Sequence, residues 1–163
     1  MPTRLEKNLQ HAKAAYLFAI NSLPFPKDFP IRVNGMEFSK KSQIDSMEIE
    51  FGWSFFCRYE ACLESFLKSK NIQLSKKLSL HDWFIKNNVE VPNDYIEGLE
   101  IYRTIRNLLH HEHGATPGGD LNTEIHLLPL HMNNFYSLFI WCGEQIESVA
   151  NKQINKDTKL RSV

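Results

Sequence analysis

The stretch Ile44–Lys70, IDSMEIEFGWSFFCRYEACLESFLKSK, decides how the rest of this chain is interpreted. Its apolar residues are spread over much of the circumference of a helix, which is typical of a helix that other elements surround. We therefore predict one long central helix from near Ser42 to about Lys70. Gly52 lies inside it and costs about 1 kcal/mol against alanine, so it indicates a kink or a close helix crossing at that point.

Four more helices are predicted, one before the long helix in the sequence and three after it. Each starts at a capping side chain or at a proline that suits a first turn. Residues 1–152 show neither strand–helix alternation nor internal repeats. We therefore predict an all-α fold, a four-helix up-and-down bundle with one extra short helix, followed by a polar tail at 153–163. The four helices are predicted from Thr3 to about Ile20, from Leu80 to Asn87, from Pro92 to about His111, and from Leu130 to Lys152.

The connection Pro24–Lys41 is long for a link between two helices. It contains Gly35 within a short alternating run, Phe29–Phe38, which predicts a small hairpin or a flap. Three roles are open for it at this point: covering a cleft, extending a dimer interface, or only joining the helices.

Composition excludes several classes of protein. The 19 Lys and Arg residues equal the 19 Asp and Glu residues, so the chain is not held on nucleic acid by bulk charge, although a local basic cleft is compatible with this balance. The three cysteines form no C-x-x-C pair, which predicts buried thiols in a reducing cytoplasm. The first ten residues do not resemble a signal peptide, and no apolar run approaches the length of a membrane span. We therefore predict a cytoplasmic protein that does not enter a membrane.

The segment Arg103–Gly114, RTIRNLLHHEHG, carries the side chains best suited to chemistry. It ends the fourth predicted helix and leads into a glycine-rich loop. On a helical wheel Arg106 falls inside the apolar arc of this helix. A charged side chain on a buried face is costly unless it is paired or faces a polar cleft. Arg106 is therefore predicted either to pair with a carboxylate of the long helix, such as Glu60 or Glu64, or to serve a functional cleft.

Arg106, Asn107 and His111 form the pattern R-N-x-x-x-H late in a helix, and Gly114 follows shortly after. In these residues the chain resembles the HEPN family, whose signature is R-x(4–6)-H, often with asparagine after the arginine. The long second helix is similar to that of the family as well. The resemblance covers roughly residues 43–150 and is specific only across 106–111.

The resemblance implies a helical bundle that cleaves RNA without a metal or any other cofactor. It also implies a homodimer in which two copies of the motif meet at a shared cleft. Family members of this kind belong to toxin–antitoxin or antiviral defence systems, so a cognate antitoxin or a nucleotidyltransferase is a candidate partner.

On this chain, the resemblance assigns His111 to proton transfer at the RNA 2′-hydroxyl or at the leaving 5′-oxygen, because the pKa of histidine lies near neutrality. Arg106 would hold the scissile phosphate, and Asn107 would orient a partner side chain or the motif backbone. The implied products carry a 2′,3′-cyclic phosphate (or a 3′-phosphate) and a 5′-hydroxyl. Auxiliary roles are predicted for His110, His113 and Glu60.

One mismatch accompanies this assignment. At 100° per residue, position 111 lies about 140° around the helix from position 106. We therefore expect that the helix loosens before His111, that the dimer partner completes the site, or that His110 shares the role.

Other interpretations of the same residues stay open. A HEPN-like bundle can bind RNA or a partner protein without cleaving it. A cluster of histidines can also bind zinc, but adjacent histidines diverge on a helix and no H-E-x-x-H pattern exists, so no metal site is predicted. The histidines also suit a helix C-terminus, where cationic side chains are favourable. The histidines concerned are His110, His111 and His113, with His126 and His131 following.

Overall fold

The structure, a computed structural model, describes residues 3–24, 29–33, 35–75, 77–111 and 125–161, and of residues 108–111 and 154–161 it describes the backbone alone. In this part of the chain there are five helices and one two-stranded sheet, so the protein is mostly helical, as predicted. The elements in chain order are α1 (Arg4–Asn21), β1 (Ile31–Val33), β2 (Met36–Phe38), α2 (Lys41–Ser69), α3 (Leu80–Lys86), α4 (Asn93–His111) and α5 (Pro129–Arg161).

The predicted starts of α1 and α3 are confirmed by their capping contacts. The Thr3 side chain accepts a hydrogen bond from the backbone N–H of Glu6 at 3.1 Å. Ser79 and Asp82 cap each other's backbone, with the Ser79 N–H donating to the Asp82 carboxylate at 2.9 Å and the Asp82 N–H donating to the Ser79 hydroxyl at 3.1 Å. These contacts satisfy amide groups that have no partner within the helix, which is why each helix begins where it does.

The end of α5 was predicted wrongly. We predicted that the last helix runs to about Lys152, but the helix continues to Arg161. The prediction followed apolar periodicity, which ends at Val149. Periodicity reports which face is buried, whereas a helix stops where proline, glycine or a cap interrupts it, and residues 153–161 contain neither proline nor glycine.

The predicted central position of the long helix is confirmed by its burial. On α2, Trp53, Phe56, Tyr59 and Leu63 are all fully buried. Phe56 lies at the middle of an aromatic cluster that joins three helices. Its ring centroid is 4.9 Å from that of Phe135, 6.1 Å from that of Phe139 and 6.4 Å from that of Tyr102.

Gly52 marks a close backbone approach. A Cβ atom placed on Gly52 would lie 1.8 Å from the carbonyl oxygen of Leu127, in the segment that leads into α5. The sequence predicted a kink or a close helix crossing here. The element that passes over α2 is instead the non-helical segment before α5, whose backbone needs the space that a side chain would fill.

The connection between α1 and α2 contains the predicted hairpin. Strands β1 and β2 pair antiparallel, with Ile31 opposite Phe38. Gly35 has φ +83°, in the left-handed region that favours glycine, and it lies in the turn between the strands. Phe38 is buried with Leu23 and Ile44, so the hairpin packs over the end of α1 and the start of α2.

None of the helices that the structure describes is both long enough and apolar enough to span a bilayer.

Replacing Gly52 with alanine tests the close approach at Leu127. At an exposed position inside a helix, replacing glycine with alanine would stabilise the protein by about 1 kcal/mol, because alanine is the better helix former. Here we expect a loss of about 1–3 kcal/mol in the free energy of unfolding, because the new methyl group overlaps backbone atoms that cannot move aside independently. Urea denaturation measures the difference.

Ser54→Ala serves as the matched control, because Ser54 is exposed on the same helix two residues later. We expect its stability to stay within about 0.5 kcal/mol of the wild type. A Gly52→Ala protein as stable as the wild type, or more so, would contradict the close approach.

Candidate functional site

Arg106 points from α4 toward two carboxylates on α2. Its Nη2 donates a hydrogen bond to Glu64 Oε1 at 3.0 Å, and its Nε lies 3.8 Å from Glu60 Oε1. All three side chains are largely buried, with exposed fractions of 21% for Arg106, 10% for Glu60 and 24% for Glu64. The predicted pairing of Arg106 with a carboxylate of the long helix is therefore confirmed, and it involves both of the glutamates that were named.

The pairing explains how α4 tolerates a charge on its inner face. Removing a guanidinium and two carboxylates from water is unfavourable, and their mutual attraction offsets that cost only when the geometry is good. Glu64 also has Lys68 Nζ at 3.8 Å from its Oε2. The four side chains together carry two positive and two negative charges, so the cluster is balanced.

Tyr102 belongs to the same cluster, and the sequence did not indicate it. Its hydroxyl is buried, and it has no hydrogen-bond partner among the described residues. Burial and then the Glu60 carboxylate raise the pKa of Tyr102 well above its ordinary value, so the phenol stays neutral. Tyr102 lies four residues before Arg106 on α4, and this spacing places both side chains on one face of the helix.

Asn107 follows Arg106 at the mouth of a narrow cleft and is exposed. The cleft lies between α4 and the segment 74–80, and Arg103, Arg106 and Asn107 line it from α4. A second depression of about 230 Å³ lies beside Arg106, with Glu64, Lys68 and Gln73 in its lining. Arg106 thus lies between two surface depressions, each of which contains a second cation.

For His110 and His111 the structure describes the backbone but not the side chains. The backbone of α4 remains helical through His111, so the predicted loosening of the helix before His111 is not observed. In a regular helix, position 111 stays about 140° around the axis from position 106. The side chains of His110 and His111, and the whole of His113, lie outside the described residues. Completion by a dimer partner and sharing of the role by His110 stay as predictions.

The metal interpretation rests on the same undescribed histidines. Among the residues that the structure describes, no group of three His, Cys, Asp or Glu side chains is close enough to hold a metal ion. His126 is exposed, and Nδ1 of His131 accepts a hydrogen bond from the Leu128 N–H at 3.2 Å, ahead of the first turn of α5. His131 therefore accepts a backbone hydrogen bond at the start of α5, which is a structural role.

The three cysteines lie in environments that disfavour the thiolate. All three are free thiols, and only Cys142 is fully buried as predicted, since Cys57 and Cys62 are half-buried. Burial raises the pKa of each thiol above its ordinary value. The thiolate is the reactive form, so these environments suppress reactivity.

Comparison with protein-family models, with curated proteins and with solved structures found no match to this chain.

Replacing Arg106 with alanine tests the anchoring role of the ion pairs. We expect a loss of about 1–3 kcal/mol in the free energy of unfolding, because Glu60 and Glu64 then lose the guanidinium that lies beside both of them. Adding Glu64→Gln to Arg106→Ala should cost less than Glu64→Gln alone, because the partner has already gone. Chemical denaturation of the wild type, the two single variants and the double variant completes this double-mutant cycle.

Arg58→Ala is the control, because Arg58 is an exposed arginine on α2, the helix that carries both glutamates. If Arg106→Ala and Arg58→Ala are equally stable, or if the two substitutions at 64 and 106 add without coupling, the ion pair does not anchor α4.

Proposed function

We propose that this protein is a metal-independent endoribonuclease of HEPN type, a four-helix up-and-down bundle with one extra short helix, working in the cytoplasm. The sequence supports this through Arg106, Asn107 and His111 in their R-N-x-x-x-H spacing at the end of a helix. One structural observation carries it further, namely that two carboxylates hold the Arg106 guanidinium between two depressions of the surface.

In this proposal the carboxylates orient Arg106 for phosphate. A guanidinium is planar and presents its N–H donors in a rigid fork, so fixing one edge fixes the direction of the others. The contacts to Glu60 and Glu64 come from Nε and Nη2, which form one edge of that fork. The Nη1 corner is the part that we assign to the scissile phosphate. Orienting a charged donor in advance lowers the free energy needed to reach the transition state.

The chemical step needs one group to take a proton and one to return it. The RNA 2′-oxygen attacks the adjacent phosphorus, the O2′–P bond forms and the P–O5′ bond breaks. A histidine removes the 2′-hydroxyl proton, and a histidine in its cationic form gives a proton to the leaving 5′-oxygen. The products carry a 2′,3′-cyclic phosphate and a 5′-hydroxyl, and no metal enters the step.

Because α4 stays helical through His111, we assign the complete site to a homodimer. In that arrangement His111 of one protomer approaches the phosphate held by Arg106 of the other, with His110, His113 and Glu60 in auxiliary roles. We assign Asn107, which is exposed beside the cleft, to orienting a partner side chain or the motif backbone. An antitoxin or a nucleotidyltransferase is the candidate regulatory partner.

The ion pairs also favour a second function, a HEPN-like module that binds RNA or protein without cleaving it. Glu60 and Glu64 together offset the charge of Arg106 and compete with phosphate for its donors. A guanidinium used in this way stabilises the bundle whether or not catalysis occurs.

RNA cleavage in excess EDTA distinguishes these functions. We expect the wild type to cleave a mixed RNA substrate in EDTA and His111→Ala to lose about 100-fold to 10,000-fold in rate, because it lacks the proton-transfer group. Arg106→Lys should also be slow, because lysine keeps the charge but not the fork. His11→Ala, which removes an exposed histidine from α1, is the matched control and should cleave normally.

Thermal melting of every variant accompanies the assay, so that loss of activity is read only from folded protein. If the folded wild type binds RNA without cleaving it, and His111→Ala binds equally well, the non-catalytic module replaces the nuclease. Cleavage that EDTA abolishes would replace it with a metal-dependent site built on the histidines.

A further inference from the structure

The two depressions beside Arg106 differ in size. The wider one has a volume of about 230 Å³, against about 10 Å³ for the narrow cleft. A space of about 10 Å³ holds roughly one water molecule, so no base fits into the cleft. Pockets for drug-sized ligands begin at about 300 Å³, so the wider depression suits something smaller, such as a single planar base. Leu74 and Arg106 line both spaces and therefore separate them.

The wider depression has an apolar floor and a polar rim. Leu67 and Ile72 are buried on its floor, and Leu74 is half-buried there. Lys68 and Gln73 are exposed at its rim. A nucleobase has the matching surface, since its faces are apolar and its edges carry hydrogen-bonding groups. The described residues that line this depression include no aromatic ring, so it does not offer the stacking that accepts every base alike. Recognition here therefore depends on the edge of the base.

Gln73 and Glu64 are the side chains in this lining that can read such an edge. The glutamine amide presents donors beside an acceptor, and the Glu64 carboxylate accepts hydrogen bonds. Glu64 already accepts from Arg106 at 3.0 Å and has Lys68 Nζ at 3.8 Å, but a carboxylate has about four acceptor positions. An edge with an amino donor next to a ring-nitrogen acceptor fits this pair, as in adenine and cytosine. Uracil and hypoxanthine, the base of inosine, present a carbonyl oxygen in place of that amino group, so an acceptor faces the acceptors.

We propose that the wider depression binds the base of the nucleotide next to the phosphate held by Arg106, and that it selects a base with an exocyclic amino group. Adenine is the base that glutamine recognises best, through two hydrogen bonds. This inference rests on the proposed function, since it needs RNA at Arg106. The base and phosphate sites are neighbours because Arg106 lines the depression, and Glu64 alone separates its Nη2 from Lys68 Nζ. Gln73 is then a specificity-determining residue, and Lys68 contacts the RNA backbone.

Binding of short single-stranded RNA tests the pocket separately from catalysis. The full-length His111→Ala protein, in EDTA, is titrated with oligouridines in which one position carries adenosine, inosine or cytidine, or stays uridine. Adenosine against inosine and cytidine against uridine each keep the size of the base and exchange an amino group for a carbonyl. We expect the amino base of each pair to bind about fivefold to 100-fold more tightly, the range that a good pair of hydrogen bonds gives.

Gln73→Ala, made in the same His111→Ala protein, tests the assigned reader. We expect it to abolish most of the preference within each pair, because the amide that pairs with the base edge has gone. Gln10→Ala, the same change at an exposed position on α1, is the matched control and should keep the full preference. A merely structural role for Gln73 would weaken both members of a pair alike.

Lys68→Ala separates backbone contact from base recognition. We expect it to weaken all four oligonucleotides equally and to reduce the slope of log affinity against log salt concentration by about 0.7, the value for one phosphate contact on a single strand. Lys7→Ala, which removes an exposed cation from α1, should keep the slope. If Lys68→Ala removes the base preference instead, the assignment of the base edge to Gln73 is contradicted.

The outcomes distinguish this inference from the proposed function. Equal binding within both pairs, or a preference that Gln73→Ala leaves intact, overturns the base pocket, and the nuclease stands if the wild type cleaves RNA. A wild type that neither binds nor cleaves RNA overturns both. A preference that Gln73→Ala removes, in a protein whose wild type does not cleave RNA, supports the pocket and assigns it to the non-catalytic module.

Discussion

The aromatic burial around Phe56 is the constraint on which the rest of the structure depends. Phe56 packs edge-on against Phe135 and lies close to Phe139 and Tyr102, so one side chain of α2 touches both α4 and α5. Tyr16 of α1 meets Phe55 on the neighbouring face. Because α2 offers apolar surface in all these directions, α1 and α5 pack along it, and α4 reaches it through the side chains of Tyr102 and Arg106. The position of Arg106 at the inner side of α4 is a consequence of that arrangement.

Stability and candidate function are combined in one cluster of charges. Glu60 and Glu64 need a cation because they lie on a largely buried side of α2, and Arg106 supplies it. The hydrogen bond to Glu64 and the nearby Glu60 carboxylate favour one orientation of the guanidinium, which the proposed phosphate-binding role would use. Under that proposal His111→Ala separates chemistry from folding better than any change at Arg106, because a loss at Arg106 combines both.

The balanced overall charge conceals a strong local asymmetry. The first half of α1 carries two exposed cations, Arg4 and Lys7, whereas the start of α4 carries two exposed carboxylates, Asp94 and Glu97. Composition alone argues against binding that depends on bulk charge. It does not show how the two signs are distributed over the surface, and interactions of such exposed charges are sensitive to salt.

The sequence by itself determined the helices of this protein and the unusual position of Arg106. Capping side chains and apolar periodicity are local properties, so Thr3, Ser79 and the long apolar run of α2 indicated their elements directly. The length of α5 was missed because periodicity follows burial rather than helicity. Only the tertiary structure decided that both Glu60 and Glu64 pair with Arg106, that Gly52 lies under the backbone of Leu127, and that the Tyr102 hydroxyl lies among charges. These facts depend on how far each helix is rotated and shifted against its neighbours, and that is settled by the packing of many side chains at once rather than by any local stretch of sequence.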